Sequence, residues 1–489
     1  MNIAKTTAKN VFFLSLSDII SKVIGLFYLV IIARYLGAGN YGILMFASAF
    51  VEICNIALDL GLSVILIREV AKDEGKMNTY VNNIISLKII LAICTAIVVG
   101  IILSFTGYGR DMNVIITIML ITTVIGSITS IFSSIFQAFN KMQFVAIGKI
   151  LATLLTFAGG LLLVKIQGSV IGFSYLYLLT SMTLFAISVF FYRTYMKGRI
   201  ALYFDTKFWK DILRLALPFT LSIIFVVVYY RVGSIMLKMY RSYEEVGYYN
   251  AAYNFIFSIN FIPTIIISAI FPIMSKLYVE SRELLLSMFR YSFKFLVMIA
   301  IPLGVGTTLV ADKIITLIYG PDFTSAILCL KILIWSLVIM FLNITFSNLL
   351  NVVNRQKVVA YTTFFTVLFN VAANFYAIPK YGITGASVAN VLSEFLVLVI
   401  IFAVTNRINY RLDLQSVSIF FKVVVCSLLM GLFMIFFHTF NVFLLVALSI
   451  ILYTALIIMF RVVKYPDLVF LKNSIFRKDK NAYNGDTAT

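Results

Sequence analysis

"LSLSDIISKVIGLFYLVIIARYLG", residues 14–37, is apolar enough and long enough to cross a bilayer as a helix, yet Asp18 and Lys22 interrupt it one helical turn apart. With the helix beginning near residue 11, Lys22 lies roughly 16 Å deep at ~1.5 Å per residue, close to the middle of the hydrocarbon core. A plain anchor has no use for two ionisable groups at that depth. The stretch therefore announces a membrane fold and poses the question of what its charges do.

The rest of the chain follows the same pattern. Its 489 residues are 62% hydrophobic and only 12% charged, with a mean hydropathy of +1.03. Soluble domains run near one quarter charged, so the solvent for most of this chain is lipid. Apolar runs predict fourteen transmembrane helices, over 11–36, 41–66, 83–106, 113–137, 144–166, 169–191, 213–237, 247–272, 288–311, 323–350, 358–378, 383–404, 417–437 and 442–460. Spans and short connections consume the chain and leave no room for a separate soluble enzyme domain.

The formal net charge of +19 raises a nucleic-acid role, but its placement argues against one. Cationic residues gather in connections that share one face, including Arg193, Lys197, Arg199, Lys207 and Lys210 in one loop and six Lys and Arg after the last span. The opposite connections carry few. This is the positive-inside pattern, which predicts a multi-pass plasma-membrane protein with both termini cytoplasmic and no nucleic-acid partner. Lys5 and Lys9 precede the first apolar run as in a signal peptide, but the run is too long and lacks a clear small-residue cleavage site, so no processing is expected. Cys54, Cys94, Cys329 and Cys426 all fall within predicted spans and are expected to be buried small hydrophobes, neither disulfides nor metal ligands.

The first six spans resemble the next six. "YLGAGNYGILMFASAF" (35–50) enters the second span as "YEEVGYYNAAYNFIF" (243–257) enters the eighth. "FNKMQFVAIGKI" (139–150) corresponds to "VNRQKVVAYTTF" (353–364), and "KIQGSVIGFSYL" (165–176) to "PKYGITGASVAN" (379–390). An even number of spans per repeat gives both halves the same direction, so an axis along the membrane normal relates them, with a cavity between them. The expected organisation is an N-terminal six-helix bundle (1–192), a cytoplasmic linker (193–212), a second six-helix bundle (213–405), two extra transmembrane helices (406–461) and a cytoplasmic tail (462–489). Phe208 and Trp209 among the linker's basic residues suit an interfacial helix; a solvated basic loop is the other reading. Pro218, Pro263 and Pro302 lie in or near the seventh to ninth spans, where kinks favour bending.

Catalytic patterns are missing: there is no GxxxxGK[ST] loop, and the sole histidine, His438, lies in an outer turn. No enzyme activity, cofactor or metal is expected. Asn343-Ile-Thr345 matches a glycosylation sequon but sits in a predicted span. What remains is a set of intramembrane charges: Asp18, Lys22 and Arg34 in the first span, Glu52 and Asp59 in the second, Lys88, Arg231 and Glu394. Each costs about 2.5–3.5 kcal/mol if it faces lipid at the bilayer centre, so it must pair or face water. Pairing offers Asp18–Lys22 or Lys22–Glu52. A polar cavity is the favoured reading for Lys22, Glu52 and Arg231, while Lys88 and Arg34, near span ends, are expected to reach the membrane surface.

"ARYLGAGNYG" (33–42), "LALPF" (215–219), "VGYYNAAYNF" (246–255), "FPIMSKL" (271–277), "YGPDF" (319–323) and "YGITGAS" (381–387) occur in series. This series resembles polysaccharide transporters of the multidrug/oligosaccharidyl-lipid/polysaccharide (MOP) flippase superfamily, over roughly residues 10–405. The resemblance implies two six-helix bundles around a central cavity, often followed by two more helices. It implies a flippase carrying polyprenyl-(pyro)phosphate-linked oligosaccharide, as in O-antigen synthesis, to the outer leaflet by alternating access. Its implied partners are the lipid-linked oligosaccharide, membrane lipid, an H+ or Na+ coupling ion, and a polysaccharide polymerase or glycosyltransferase.

An anionic headgroup calls for cations in a low-dielectric cavity, and Lys22, Arg231 and Arg34 are the candidates. Asp18, Glu52 and Asp59 are the candidate ion-coupling acids. Relatives often carry an acid in the seventh span where this chain has Arg231. A cation-coupled multidrug or metabolite antiporter of the same superfamily and a lipid II flippase are the alternatives. A membrane glycosyltransferase would need larger outer loops than this chain provides.

Overall fold

A computed structural model describes the backbone of residues 3–463 and the side chains of 16–463; the tail expected at 462–489 lies almost wholly outside the described residues. Fourteen α-helices follow in order: α1 (Ile3–Asp59), α2 (Leu62–Lys72), α3 (Met77–Thr106), α4 (Arg110–Ala138), α5 (Met142–Lys165), α6 (Val170–Tyr195), α7 (Thr206–Tyr240), α8 (Tyr243–Ile259), α9 (Phe261–Glu280), α10 (Arg282–Ile318), α11 (Ala326–Val352), α12 (Gln356–Arg407), α13 (Leu414–Phe436) and α14 (Val442–Met459). No strand occurs among the described residues. In lipid each backbone N–H and C=O must find a partner within its own segment, which leaves a helix as the solution for a single apolar run.

Twelve helical segments among the described residues are long and apolar enough to cross a membrane. Two of these, Leu16–Asp59 and Gln356–Arg407, hold 44 and 52 residues. At ~1.5 Å per residue they run to roughly 66 and 78 Å, more than twice a ~30 Å hydrocarbon core. Each breaks at a glycine in a conformation foreign to L-residues: Gly37 (φ 69°, ψ 172°) in α1 and Gly382 (φ 55°, ψ −133°) in α12. At Gly382 the chain doubles back, because a side chain at Gly385 would strike the Ala377 carbonyl eight residues earlier. Reading each of the two as a pair of crossings gives fourteen. The all-α polytopic fold expected from the sequence is what the chain adopts.

Contacts at the helix ends define two faces. Gly37 shares one with the Gly382 break of α12 and the ends of α10 and α13, where Arg241 donates to the Ile378 and Pro379 carbonyls and Lys313 to those of His438 and Phe440. The other, here the terminal face, carries the α2–α3, α6–α7 and α12–α13 connections. There residues 197–205 form no interfacial helix. They are tied to α3: Asn78 accepts from the Arg199 amide, Asn82 from the Ala201 amide, and the Trp209 indole donates to the Asn83 carbonyl.

The core divides unevenly. One cluster joins α2, α3, α4 and α6 with Ile212 and Ala216 of α7. Farther along the same helix, Met236 and Leu237 belong to the larger cluster, which joins α1, α4 and α6 to α8, α10 and α11. Pro218 lies between these two stretches of α7, where it removes one backbone donor. The early turns of α7 thus pack with α2, α3, α4 and α6, and its late turns lie in the cluster that bridges the two groups.

A cross-bundle ion pair in a cleft closed at one face

Helices α1 and α8 meet closely at the Gly37 face. A side chain at Gly42 would collide with the Tyr243 carbonyl, and one at Gly247 with the Ala38 carbonyl, so only glycine permits this approach. Around the contact the Asn254 amide donates to the Tyr41 hydroxyl at 3.0 Å, and Tyr41 stands edge-on to Phe323. Arg34 reaches across as well: its Nε donates to the Ile318 carbonyl at 2.7 Å and its second nitrogen to the Leu317 carbonyl. A cation on the exposed carbonyls that end α10 completes a helix terminus. The cleft between the two groups is shut here. Toward the terminal face α7 is their main junction, and α9 packs on α10 and α11 without joining α1–α6.

Arg231 and Glu52 meet inside this cleft. Arg231 Nη2 donates to Glu52 Oε1 at 2.7 Å while Nε donates to Oε2, a two-pronged bond from α7 to the second arm of α1. Such fork geometry is the strong form of an ion pair. Arg231 lies nine residues from the end of α7, about 14 Å at 1.5 Å per residue, near mid-bilayer. The Arg231 and Glu52 side chains remain 26% and 46% exposed, so the pair is reachable.

The other charges fall elsewhere. Asp18 pairs with Lys149 of α5, which sequence spacing did not suggest. Lys22, one turn on, is exposed and has no hydrogen-bond or ion-pair partner among the described residues. Lys88, expected to reach the membrane surface, is instead 2% exposed. Its ammonium donates to Asp59 at 2.7 Å, to the Ser127 carbonyl at 2.7 Å and to Ser130 at 3.0 Å. That network pins the break between α1 and α2, since Ser63 of α2 also donates to Asp59. Asp59 is thereby satisfied inside the first group, away from Glu52's partner.

Glu394 is buried in the second group, where its carboxylate accepts from the Tyr229 hydroxyl at 2.6 Å and from Asn343 at 2.7 Å, with no basic partner among the described residues. It lines a cavity of about 260 Å³ with Thr366 and Asn260. Oxygens of Asn343, Thr366 and Asn260 are buried there without donors. Sequence reasoning noted Glu394 but not its companions; neutral Tyr and Asn inside apolar spans were the available signal. Cys329 and Cys426 are buried as expected, while Cys94 is exposed on α3. Among the described residues no cluster of His, Cys, Asp or Glu is arranged to hold a metal.

Known proteins resemble this chain in sequence and in fold. The family model "polysaccharide biosynthesis protein" matches residues 7–278. The MatE model matches residues 218–376. A probable low-salt glycan biosynthesis flippase, Agl15, of Haloferax volcanii is 24% identical over 188 residues, 38% of each chain. An uncharacterised membrane protein of Methanocaldococcus jannaschii is 26% identical over 130 residues, 26% of each. The matched stretches therefore span well under half of these relatives' length. Among solved structures, the lipid II flippase MurJ in an inward closed conformation superimposes with a TM-score of 0.76 at 17% identity, covering 94% of this chain and 100% of that one. An inward-facing multidrug resistance MATE transporter of the MOP superfamily gives 0.62 at 17% identity over 79% of this chain and 94% of that one. Identities this low establish a shared fold. Because the first family model spans more than half of its 489 residues, the chain belongs to the polysaccharide biosynthesis protein family, with the fold of the MOP superfamily.

Proposed function

We propose that the protein flips a polyprenyl-(pyro)phosphate-linked oligosaccharide from the cytoplasmic to the outer leaflet of the plasma membrane, with the terminal face cytoplasmic. The observation that carries this reading is the Arg231–Glu52 pair, a partly exposed cation at mid-depth between two groups of helices that meet tightly at the Gly37 face. A pyrophosphate entering from the terminal face competes with Glu52 for the Arg231 fork, because planar guanidinium geometry suits both anions. Lys22, exposed and without an ion-pair partner among the described residues, serves as the second headgroup cation. Arg34 stands at the exit, where opening the Gly37 face frees it from the α10 carbonyls.

The moving bodies are the two six-helix bundles, 1–192 and 213–405, turning about α7 and the 193–212 strap. Release of Glu52 from Arg231 supplies a carboxylate for H+ or Na+; Asp18 and Asp59, held by Lys149 and Lys88, join the coupling only on leaving those partners. A glycosyltransferase builds the glycan on one side and a polymerase or transferase receives it on the other. Agl15, named a probable flippase of glycan biosynthesis, supports this substrate class. The MatE match over 218–376 favours, as a second reading, a cation-coupled multidrug antiporter.

The test is flipping of a fluorescent short-chain polyprenyl-pyrophosphate sugar in proteoliposomes, with pH, Na+ and voltage gradients imposed separately. Gradient-driven movement, lost in Lys22→Ala and Arg231→Ala, is the expected result. No lipid movement, together with uptake of organic cations, transfers the assignment to the antiporter. Movement of lipid II alone transfers it to that substrate.

A further inference from the structure

A second cavity, about 420 Å³ and wholly apolar, lies on the far side of the second group from the cleft. Phe293 of α10 and Phe346 of α11 form its floor; Phe395 and Phe402 of α12 form one wall, and Val417 and Phe421 of α13 the other. Spacings of i, i+7 and i, i+4 set the wall residues in stripes along their helices. Helices α12 and α13 stand apart over it, α12 packing on α11 and α13 on α10. The result is a slot running along the membrane normal.

Its mouth, on the terminal face, is basic. Arg290 is one turn from Phe293, and Leu412, which lines the cavity, sits between Arg411 and Asp413. Arg290 pairs with Asp413 at 3.1 Å and donates to the Arg411 carbonyl at 3.4 Å, yet its Nε is buried without an acceptor. Arg411 is exposed, and the one hydrogen bond its side chain makes among the described residues is at 3.4 Å, from Nε to the Asn406 carbonyl. Two guanidinium groups against one carboxylate leave a net positive charge and an orphaned donor where a lipid headgroup lies.

We propose that this slot holds an acidic glycerophospholipid of the surrounding bilayer, its phosphate on Arg290 and Arg411 and one acyl chain between α12 and α13. The slot is built from α10–α13, whereas the cleft charges lie on α1 and α7, so its occupant is a bridging lipid and not the transported one. It fastens the α13–α14 hairpin to the second bundle. Basic groups at a membrane surface favour acidic lipids by a factor of about five each.

The full chain, purified in detergent, would be titrated with phosphatidylglycerol and with phosphatidylcholine, and bound lipids counted by native mass spectrometry. The expected result is a tenfold or greater preference for phosphatidylglycerol. Arg411→Gln lowers that affinity about fivefold and narrows the preference over phosphatidylcholine, whose phosphate charge is offset by its choline. Val399→Trp, which fills the slot between the walls, lowers both. Equal affinity for the two lipids, or a preference that survives both Arg411→Gln and Arg290→Gln, overturns the proposal. Arg411 is in no ion pair among the described residues, so its variant carries the test even if Arg290→Gln does not fold.

Discussion

Glu52 and the substrate headgroup compete for one arginine, so the two halves of the pair should respond oppositely to mutation. Breaking a buried ion pair costs about 3–5 kcal/mol, whereas an exposed one is worth about 0.2–1 kcal/mol. With Glu52 46% exposed and Arg231 26%, the pair belongs near the lower end, about 1.4 kcal/mol, or tenfold. Glu52→Gln removes the competitor and leaves the fork free. It should tighten binding of a polyprenyl-pyrophosphate sugar about tenfold in an equilibrium filter-binding assay on detergent-solubilised protein. Arg231→Gln removes the fork and should weaken binding at least tenfold. Flipping should fall in both, because Glu52→Gln also removes the group that displaces the headgroup. The gain weakens with added salt as the screened attraction does. If Glu52→Gln weakens binding as much as Arg231→Gln, the pair is a structural strut and the competition is refuted.

Three further outcomes follow from the geometry. Gly247→Val drives a side chain into the Ala38 carbonyl and should destabilise closure of the Gly37 face by about 1–3 kcal/mol, read as faster labelling of an introduced Asn254→Cys by an impermeant maleimide; unchanged labelling would show that this contact does not gate. Lys88→Met strands the Asp59 carboxylate and should cost about 3–5 kcal/mol in thermal unfolding, with most of it regained in Lys88→Met/Asp59→Leu; a double variant no better than the single would mean the charges themselves are required. Burial opposes ionisation of Asp413 at the α13 terminus, but bonds from Ser416 and the charge of Arg290 outweigh it and hold the carboxyl below its ordinary value of 3.8. Its folded form is therefore stabilised at every pH above that value and loses the contribution only as pH falls through the lowered one, so the Tm difference between wild type and Asp413→Asn should be full above pH 3.8 and shrink as the pH is taken below it.

Much was legible because the bilayer permits few solutions. An apolar run of about 20 residues must become a helix, so the spans, their number and their connections could be read directly, including a break at "YLGAG" that only Gly37 could supply. Charge patterning and the ordered motifs gave the family. For the linker the sequence left an interfacial helix and a basic loop both open; residues 197–205 are non-helical, with the Arg199 and Ala201 amides donating to Asn78 and Asn82 and Trp209 to Asn83, partners more than 100 residues away.

Charge pairing was another matter. The sequence by itself determined which ionisable groups enter the membrane and roughly how deep each lies, since depth is counted along a helix of fixed rise. It could not choose partners, because a partner depends on how each helix is rotated and which neighbour it faces. Asp18 looked nearest to Lys22 and found Lys149; Glu52 found Arg231 across 179 positions; Lys88 turned inward to Asp59. Only packing decided those matches, and packing also decided that the cleft closes where Gly42 and Gly247 let two backbones touch.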